Sequence, residues 1–277
     1  MEIRRIVIAV DASPTSQAAI QATAELAAAW GAELLGIFVE DVNLLRMASL
    51  PFASEVGSHS GKFRRIDPDN LRRQLRWQAE RARRELESAA RALGVTVVFR
   101  VARGRVNEEL LAALSEADLL SLGKGGKTLA ARLGLGSTAR AIAAGASGRV
   151  LLLSHVSRVA GPVVAVYDGS PSGERALASA MELARGLKTD LTVLCLAETR
   201  ERAQELATRV EEATEDFQRI RCRHCTTGDV PDLARIARSF GANAMVVPAG
   251  GAVLRDETVE DLLKSFSGPV LIVADRS

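Results

Sequence analysis

A glycine loop between residues 118 and 138 is the part of the sequence best suited to bind a ligand. The apolar run at 118–123 predicts a buried strand that ends at Gly123. Two residues separate Gly123 from Gly126, and nine residues separate Gly126 from Gly136-Ser137-Thr138. The alanine-rich residues 139–144 then predict a helix. Glycines let backbone N–H groups approach a ligand closely, and a helix N-terminus adds unpaired N–H groups and about half a positive charge. The pattern therefore predicts an anion site, most naturally for phosphate.

A Walker A loop is the main alternative for this stretch, because Gly126-Lys127-Thr128 matches the end of that motif. The motif also needs a small residue, glycine or alanine, five positions before Gly126. Ser121 stands at that position, inside the predicted strand. We therefore reject a Walker A loop.

Composition limits the classes of protein that the chain can belong to. It has 277 residues, of which 47% are hydrophobic and 25% charged, with a net charge of +2, enough for two globular domains of ordinary size. The near-neutral charge and the 4% aromatic content argue against a nucleic-acid partner. No apolar run approaches the roughly 20 residues of a membrane span, and no signal peptide is evident. With only three cysteines, we expect a cytoplasmic protein without disulfides or a membrane partner.

The opening of the chain recurs 157 positions later. Asp11 corresponds to Asp168, Ser13-Pro14 corresponds to Ser170-Pro171, and the repeat extends to Glu25-Leu26-Ala27 and Glu182-Leu183-Ala184. A gapless match of this length indicates a tandem repeat. We predict one domain at 1–156 and a second at 161–277.

Strand-like and helix-like segments alternate in both halves, which is typical of βαβ units and a parallel sheet. We expect an α/β protein with two tandem, doubly wound, Rossmann-like sheets of five strands each, in the flavodoxin-like order 3-2-1-4-5. The predicted strands of the first half lie at 6–10, 33–39, 96–102, 118–123 and 150–154, with helices at 16–30, 67–93 and 107–116. In the second half, the sequence predicts strands at 163–167, 220–226 and 270–274 and helices at 199–217 and 231–240. Residues 41–68 have no clear period and are expected to form a surface insertion, with a lid or partner surface as the alternative.

Topology places Asp11 beside the glycine loop. In a flavodoxin-like sheet the ligand crevice opens at the carboxyl ends of strands 1 and 4, which end here at Asp11 and Gly123. A carboxylate cannot bind phosphate, but it can accept hydrogen bonds from a ribose hydroxyl or a base amino group. The alternative role for Asp11 is a cap on the helix that begins near Ser13.

The loop spacing and the repeat together resemble the ATP-binding branch of the universal stress protein family, over essentially the whole chain. The resemblance implies ATP as cofactor, with or without Mg²⁺, and a cytoplasmic stress-response role. It implies that Asp11 and Val39 contact the base and ribose, and that the phosphates are held by Gly123, Gly126, Gly136, Ser137 and Thr138. Lys127 could add charge at the phosphates, or it could be a solvated loop lysine. One departure lies at Ser147-Gly148-Arg149, where the family often has Cys-Pro.

The same resemblance implies that the two closing strands lie together, so that the halves form a dimer-like unit within one chain. A homodimer of whole chains is also compatible with it. The second half departs at the loop, where Pro248 replaces Gly123 and Gly251 matches Gly126 without a following Gly-Ser. Proline has no N–H to donate to a phosphate. The segment also carries four carboxylates, which would repel a triphosphate: Asp256, Glu257, Glu260 and Asp261. We interpret the second half as a degenerate copy that cannot bind a nucleotide in this way.

The sequence offers little for metal binding or catalysis. Cys222 and His224 would face one side of a strand and Cys225 the other, and Cys195 is expected to lie elsewhere, so structural cysteines are favoured over a metal site. No catalytic residue is predicted. We expect ATP binding and regulation rather than rapid turnover. Two alternatives stay open: a slow ATPase or nucleotide-using enzyme on the same fold, and an interaction module without nucleotide.

Overall fold

The structure of the protein is a computed structural model. It describes residues 3–11, 13–50, 54–56, 63–123, 148–153, 159–215, 217, 219–249, 261–263 and 265–274. Strands and helices alternate throughout the first half. Its elements are β1 (Arg5–Ala9), α1 (Pro14–Trp30), β2 (Glu33–Asp41), α2 (Val42–Ala48), β3 (Ser54–Val56), β4 (Phe63–Arg65), α3 (Pro68–Ala92), β5 (Val97–Gly104), α4 (Val106–Ser115), β6 (Leu119–Gly123) and β7 (Arg149–Leu153).

The second half repeats this alternation. Its elements are β8 (Val163–Tyr167), α5 (Pro171–Gly186), β9 (Leu191–Ala197), α6 (Arg200–Ala213), β10 (Ile220–Thr226), a 3-10 helix (Thr227–Asp232), α7 (Leu233–Ser239), β11 (Ala244–Pro248) and β12 (Val270–Val273). Within the described residues, none of the helices is both long and apolar enough to cross a membrane.

The ten long strands form one continuous sheet in the order β10-β9-β8-β11-β12-β7-β6-β1-β2-β5. Within the first half this is the predicted order 3-2-1-4-5, and the second half shows the same order. All neighbours inside a half pair in parallel, whereas the closing strands β7 and β12 pair antiparallel, with Val270 opposite Leu152. The closing strands therefore lie together, as the resemblance implied, and they join the two predicted sheets into one.

Helices cover both faces of the sheet, which explains why its central strands are apolar on both sides. Ile6 and Ile8 of β1 pack on the face covered by α1, α3, α5 and α6. Val7 packs on the opposite face, with α4 and α7. Successive strand residues point to opposite faces, so one short apolar run serves both cores.

Equivalent serine caps begin the first helix of each half. Ser13 accepts a hydrogen bond from Ser16 N before α1, and Ser170 accepts one from Gly173 N before α5. Proline occupies the first turn of both helices, where its missing N–H costs nothing. The repeated Ser-Pro pairs therefore fix where the chain turns from strand into helix.

Some predicted boundaries differ from the structure. The helix predicted to begin near Pro231 is preceded by a 3-10 helix, and α7 begins only at Leu233. The helix predicted to reach Phe217 ends at Ala213; Phe217 N instead donates to Thr214 O, and its ring packs against Arg185. The 41–68 insertion contains regular structure, because Asp41 caps the short helix α2 and β3 pairs with β4.

Candidate functional site

Three of the predicted ligand residues lie in one row at the carboxyl edge of the first-half strands. Ala9 pairs with Ile37 in the β1–β2 register, and Val10 N donates to Ile37 O at 2.9 Å. If this register is extended past the end of β1 by two residues, Asp11 is level with Val39. Ile8 pairs with Ser121 in the β1–β6 register, which places Gly123 level with Val10. The sheet thus brings Asp11, Val39 and Gly123 together where strand order reverses.

Asp11 is exposed and uses one carboxylate oxygen locally. Its Oδ1 accepts hydrogen bonds from Ser13 N at 2.9 Å and from Ser13 Oγ, and Asp11 N donates to Ser16 Oγ at 3.0 Å. Within the described part of the chain, Oδ2 has no partner. The carboxylate therefore stabilises the turn into α1 through Oδ1 and can accept a further hydrogen bond through Oδ2, so the two roles considered for it are compatible.

The end of β2 contributes an apolar side chain that is followed by two carboxylates, both of which already have partners. Val39 is half-buried and packs on the α4 side of the sheet. Glu40 forms an ion pair with Arg103 of β5 at 2.9 Å, and Asp41 accepts from Asn43 N at 2.9 Å to cap α2. Val39 can therefore offer an apolar contact to a flat ring, while its acidic neighbours are engaged elsewhere.

The other predicted ligand residues, Gly126, Lys127, Gly136, Ser137 and Thr138, lie outside the described residues. What the structure does describe is the start of the loop. Gly123 is the last residue of β6 and pairs with Leu153 of β7. The strand that precedes the glycine loop is therefore the neighbour of β1, the strand that leads to Asp11.

The second half has an equivalent turn at Asp168, in which the aspartate carboxylate is more buried than at Asp11. Asp168 Oδ1 accepts from Ser170 N at 3.0 Å and from Ser170 Oγ at 2.6 Å. Its Oδ2 is buried and, among the described residues, has no hydrogen-bond partner. Pro248 forms the end of β11, at the position of Gly123. The second half therefore keeps the aspartate, but Asp168 Oδ2 is buried, whereas Asp11 is exposed.

The ion pair of Glu40 and Arg103 is a feature of this edge that sequence reasoning did not identify. Glu40 is the more buried partner, with a side chain 13% exposed. The two residues face each other directly in the β2–β5 register. Their position at the ends of adjacent strands was the available signal, but the register needed to pair them cannot be read from either segment alone.

The cysteines require one correction. Cys195 does not lie apart from Cys222 and His224: it sits on β9 directly opposite His224 of β10 and on the same face as Cys222. Interaction between the two thiols raises the pKa of Cys195 and lowers that of Cys222, and the Cys222 thiol donates a long hydrogen bond to Ala207 O at 4.0 Å. Cys225 is buried on the opposite face, where burial raises its pKa to about 11. Over the described ranges, no three His, Cys, Asp or Glu side chains are grouped to hold a metal ion.

Comparison with known proteins agrees with this architecture. Comparison with solved structures finds a universal stress protein from Archaeoglobus fulgidus, 16% identical, with a TM-score of 0.78 and coverage of 99% of this chain and 97% of that chain. A functionally unknown protein from Pseudomonas aeruginosa is also 16% identical, with a TM-score of 0.61 and coverage of 99% and 93%. At these identities the likeness shows the shared fold alone. No curated protein matches the sequence significantly.

Comparison of the sequence with family models assigns the chain to a family. The family model described as "Universal stress protein family" matches residues 2–154, which is more than half of the chain and includes the aspartate turn, the end of β2 and the whole glycine loop. The chain therefore belongs to the universal stress protein family.

Proposed function

We propose that the first half binds ATP at the carboxyl edge of β1, β2 and β6, and that the protein acts in a stress response through binding rather than rapid turnover. The observation that carries this proposal is the row formed by Asp11, Val39 and Gly123. The row joins a hydrogen-bond acceptor, an apolar surface and the start of a glycine loop at the point where the sheet order reverses. These groups can contact the ribose or base amino group, the flat base and the phosphates of an adenine nucleotide, respectively.

In this proposal the nucleotide lies along the row with its base at the aspartate turn. Asp11 Oδ2 accepts a hydrogen bond from the ribose or the base amino group, and Val39 contacts the base. The phosphates extend over the loop, where backbone N–H groups surround them. The loop residues in this role are Gly123, Gly126, Gly136, Ser137 and Thr138, with Lys127 adding positive charge. Mg²⁺, when present, would bind phosphate oxygens.

Binding without rapid turnover is favoured by the state of the neighbouring carboxylates. Hydrolysis requires a group that positions water and usually a carboxylate for Mg²⁺. Among the described strand ends of the first half, Glu40 is paired with Arg103 and Asp41 caps α2. Asp11 is the remaining acid in the row, and nucleotide recognition already uses it.

The second half serves as a structural partner in this proposal. We infer that residues 1–156 and 161–277 act as two domains, joined through β7 and β12 as the subunits of a dimer are joined. The closed Asp168 turn and Pro248 at the loop position support the view that the second half does not bind nucleotide in the same way. We place the protein in the cytoplasm with no nucleic-acid partner.

The direct test is to identify the small molecule that is bound to the purified protein. Mass spectrometry of small molecules released from the purified, denatured full chain should detect an adenine nucleotide, and incubation with ATP should give little ADP over many minutes. Rapid, multiple-turnover ADP release would replace this proposal with an enzymatic one. Absence of any bound or bindable nucleotide would favour an interaction module.

A further inference from the structure

Strand β5 forms the outer edge of the sheet in the first half. Among the described strands it pairs only with β2, and none of its eight residues is buried. Val98 and Val101 point to opposite faces of the sheet and are 49% and 50% exposed. The helices on the two faces therefore leave the middle of the strand open, and a further strand can approach it.

The backbone of β5 offers alternate residues to such a strand. Leu34 N of β2 donates to Thr96 O at 2.9 Å, so the backbone groups of every second residue from Thr96 onward face β2. The backbone groups of Val97, Phe99 and Val101 consequently face outward. Within the described part of the chain, these outward groups have no hydrogen-bond partner, so the ladder of the sheet can continue from them.

The opposite edge of the sheet carries charge where β5 is apolar. Through the 157-residue repeat, the registers of β5 on β2 and of β10 on β9 align Val98 with Arg221 and Val101 with His224. Arg221 and Arg223 are exposed and, among the described residues, form no ion pair. Charged side chains on an edge strand discourage pairing with another chain, so the β10 edge is protected.

The two arginines of β5 already have acidic partners. Arg100 lies 3.6 Å from a carboxylate oxygen of Glu116, and Arg103 lies 2.9 Å from one of Glu40. Both carboxylates belong to the same chain, at the end of α4 and on β2. The β5 edge therefore combines apolar side chains with charges that are neutralised, and it lacks the protection found on β10.

The apolar residues of β5 are arranged symmetrically about Phe99. In an antiparallel pair of two β5 strands centred there, Val97 of each copy faces Val101 of the other, and the two Phe99 residues face each other. These residues have outward backbone groups, so each facing pair exchanges two N–H···O bonds. A centre at Arg100 would set two arginines opposite each other, which is destabilising. A centre at Val98 would pair only the first few residues of the strand.

We propose that β5 pairs antiparallel with β5 of a second copy of this chain, about a two-fold axis at Phe99. The contact between the two halves is of the same kind, because β7 and β12 join two sheets edge to edge in antiparallel. A two-fold contact uses the same strand on both copies, so assembly stops at a dimer. The two β10 edges remain at the ends of the joined sheet, where their arginines keep further strands away.

Sedimentation velocity of the full chain over a range of concentrations tests this proposal. We expect a monomer–dimer equilibrium without larger species. High salt should leave it largely unchanged, because apolar contacts and backbone hydrogen bonds hold the dimer. Val101→Lys should give a monomer, since it sets a charge opposite Val97 of the second copy. His224→Lys, at the matching position of β10, should leave the dimer intact, and circular dichroism checks that both variants are folded.

Disulfide cross-linking tests the register. Val98 of one copy faces Arg100 of the other in a pair without mutual hydrogen bonds, with about 4.5 Å between their Cα atoms. A mixture of Val98→Cys and Arg100→Cys chains should therefore form a covalent dimer under mild oxidation. Neither variant alone should do so, because its own cysteines lie roughly 8 Å apart, beyond the span of a disulfide. The wild-type chain controls for the three native cysteines.

A wild-type chain that stays monomeric at all concentrations overturns the proposal, and so does a dimer that survives Val101→Lys. Cross-linking of Arg100→Cys alone would place the axis at Arg100 and contradict the register. If Val101→Lys does not fold, the mixture of cysteine variants decides, and a mixture that forms no covalent dimer overturns the proposal as well.

Discussion

Asp11 stabilises the start of α1 with one carboxylate oxygen and, within the described part of the chain, leaves the other without a partner. Ser13 supplies both donors to Oδ1, and Ser16 Oγ accepts from the backbone of Asp11. This local network holds the carboxylate in place before any ligand arrives, so less conformational entropy is lost on binding. A residue that caps a turn can thus be prepared for recognition by the same hydrogen bonds.

Replacing Asp11 by Asn should weaken ATP binding with little loss of stability, because the side-chain amide oxygen can still accept from Ser13. A hydrogen bond to a charged group contributes about 1.5–3 kcal/mol, so affinity should fall roughly ten- to a hundredfold. Preference for ATP over GTP should fall as well. Asp168→Asn is the matched control and should leave affinity unchanged. Isothermal titration calorimetry measures both.

Ser137→Ala tests the opposite end of the ligand. We expect this variant to lose affinity for ATP more than for adenosine, because Ser137 is proposed to contact the phosphates. Equal losses for both ligands in the Asp11 and Ser137 variants would show that the proposed orientation of the nucleotide is wrong. A melting curve is needed, since the sequence predicts Ser137 as a helix cap and loss of a cap costs about 1 kcal/mol.

The three thiols should react with alkylating reagents in a fixed order. Cys222 is half-buried and its pKa is lowered by interaction with Cys195, so it carries the largest thiolate fraction of the three cysteines near neutral pH. Cys195 and Cys225 are buried with raised pKa values, and Cys225 has a pKa of about 11. Peptide mapping after brief iodoacetamide treatment should find Cys222 modified first. Earlier modification of Cys225 would contradict the described packing.

At the scale of elements, local signals predicted most of the fold. The repeated Ser-Pro pairs mark the starts of α1 and α5, and the apolar runs give the central strands β1 and β8. The strand order followed from the alternation of strands and helices. The neighbourhood of Cys195 and Cys222 could not be predicted in this way, because it depends on the β9–β10 register, which long-range pairing sets. The helix α2 was missed because seven residues are too few to show a clear period.

The candidate site was predictable to the same degree. Topology placed Asp11 and Gly123 at one edge, because each marks the end of a predicted strand, whereas Val39 was implied by the family resemblance. The pairing of Glu40 with Arg103 escaped prediction because it joins β2 to β5, which are separated in sequence by α3. The contribution of the loop itself rests on its glycine spacing and on the family match.

The glycine loop gives a prediction at the element scale. Gly126→Leu should abolish ATP binding, because a branched side chain would occupy the space proposed for the phosphates. Gly251→Leu, at the matching position of the second half, should leave the affinity for ATP unchanged. Equilibrium dialysis with labelled ATP compares the two variants directly. Equal loss from both would overturn the assignment of binding to the first half.

The whole molecule is held together by more than the β7–β12 pairing. Glu182 of α5 reaches into the first half, where its Oε1 accepts from Ile3 N at 2.8 Å and its Oε2 accepts from Arg149 Nη1 at 3.2 Å. The Arg149 and Glu182 side chains are only 12% and 21% exposed. This largely buried ion pair joins the two halves directly beside the shared edge of the sheet.

Glu182→Ala should therefore destabilise the full chain strongly. Removing one partner leaves the Arg149 charge uncompensated in a mostly buried position, which costs about 3 kcal/mol. Glu87→Ala, which breaks the exposed Arg83–Glu87 pair on α3, should cost under about 1 kcal/mol. Urea denaturation compares the two free energies of unfolding. Similar values for both variants would mean that the contact between the halves contributes little.

The central claim is that the first half binds ATP and the second half does not. Calorimetric titration of ATP into the full wild-type chain tests it most directly, because the stoichiometry counts the sites. We predict one ATP per chain. Two equivalent sites, or no detectable binding, would contradict the account.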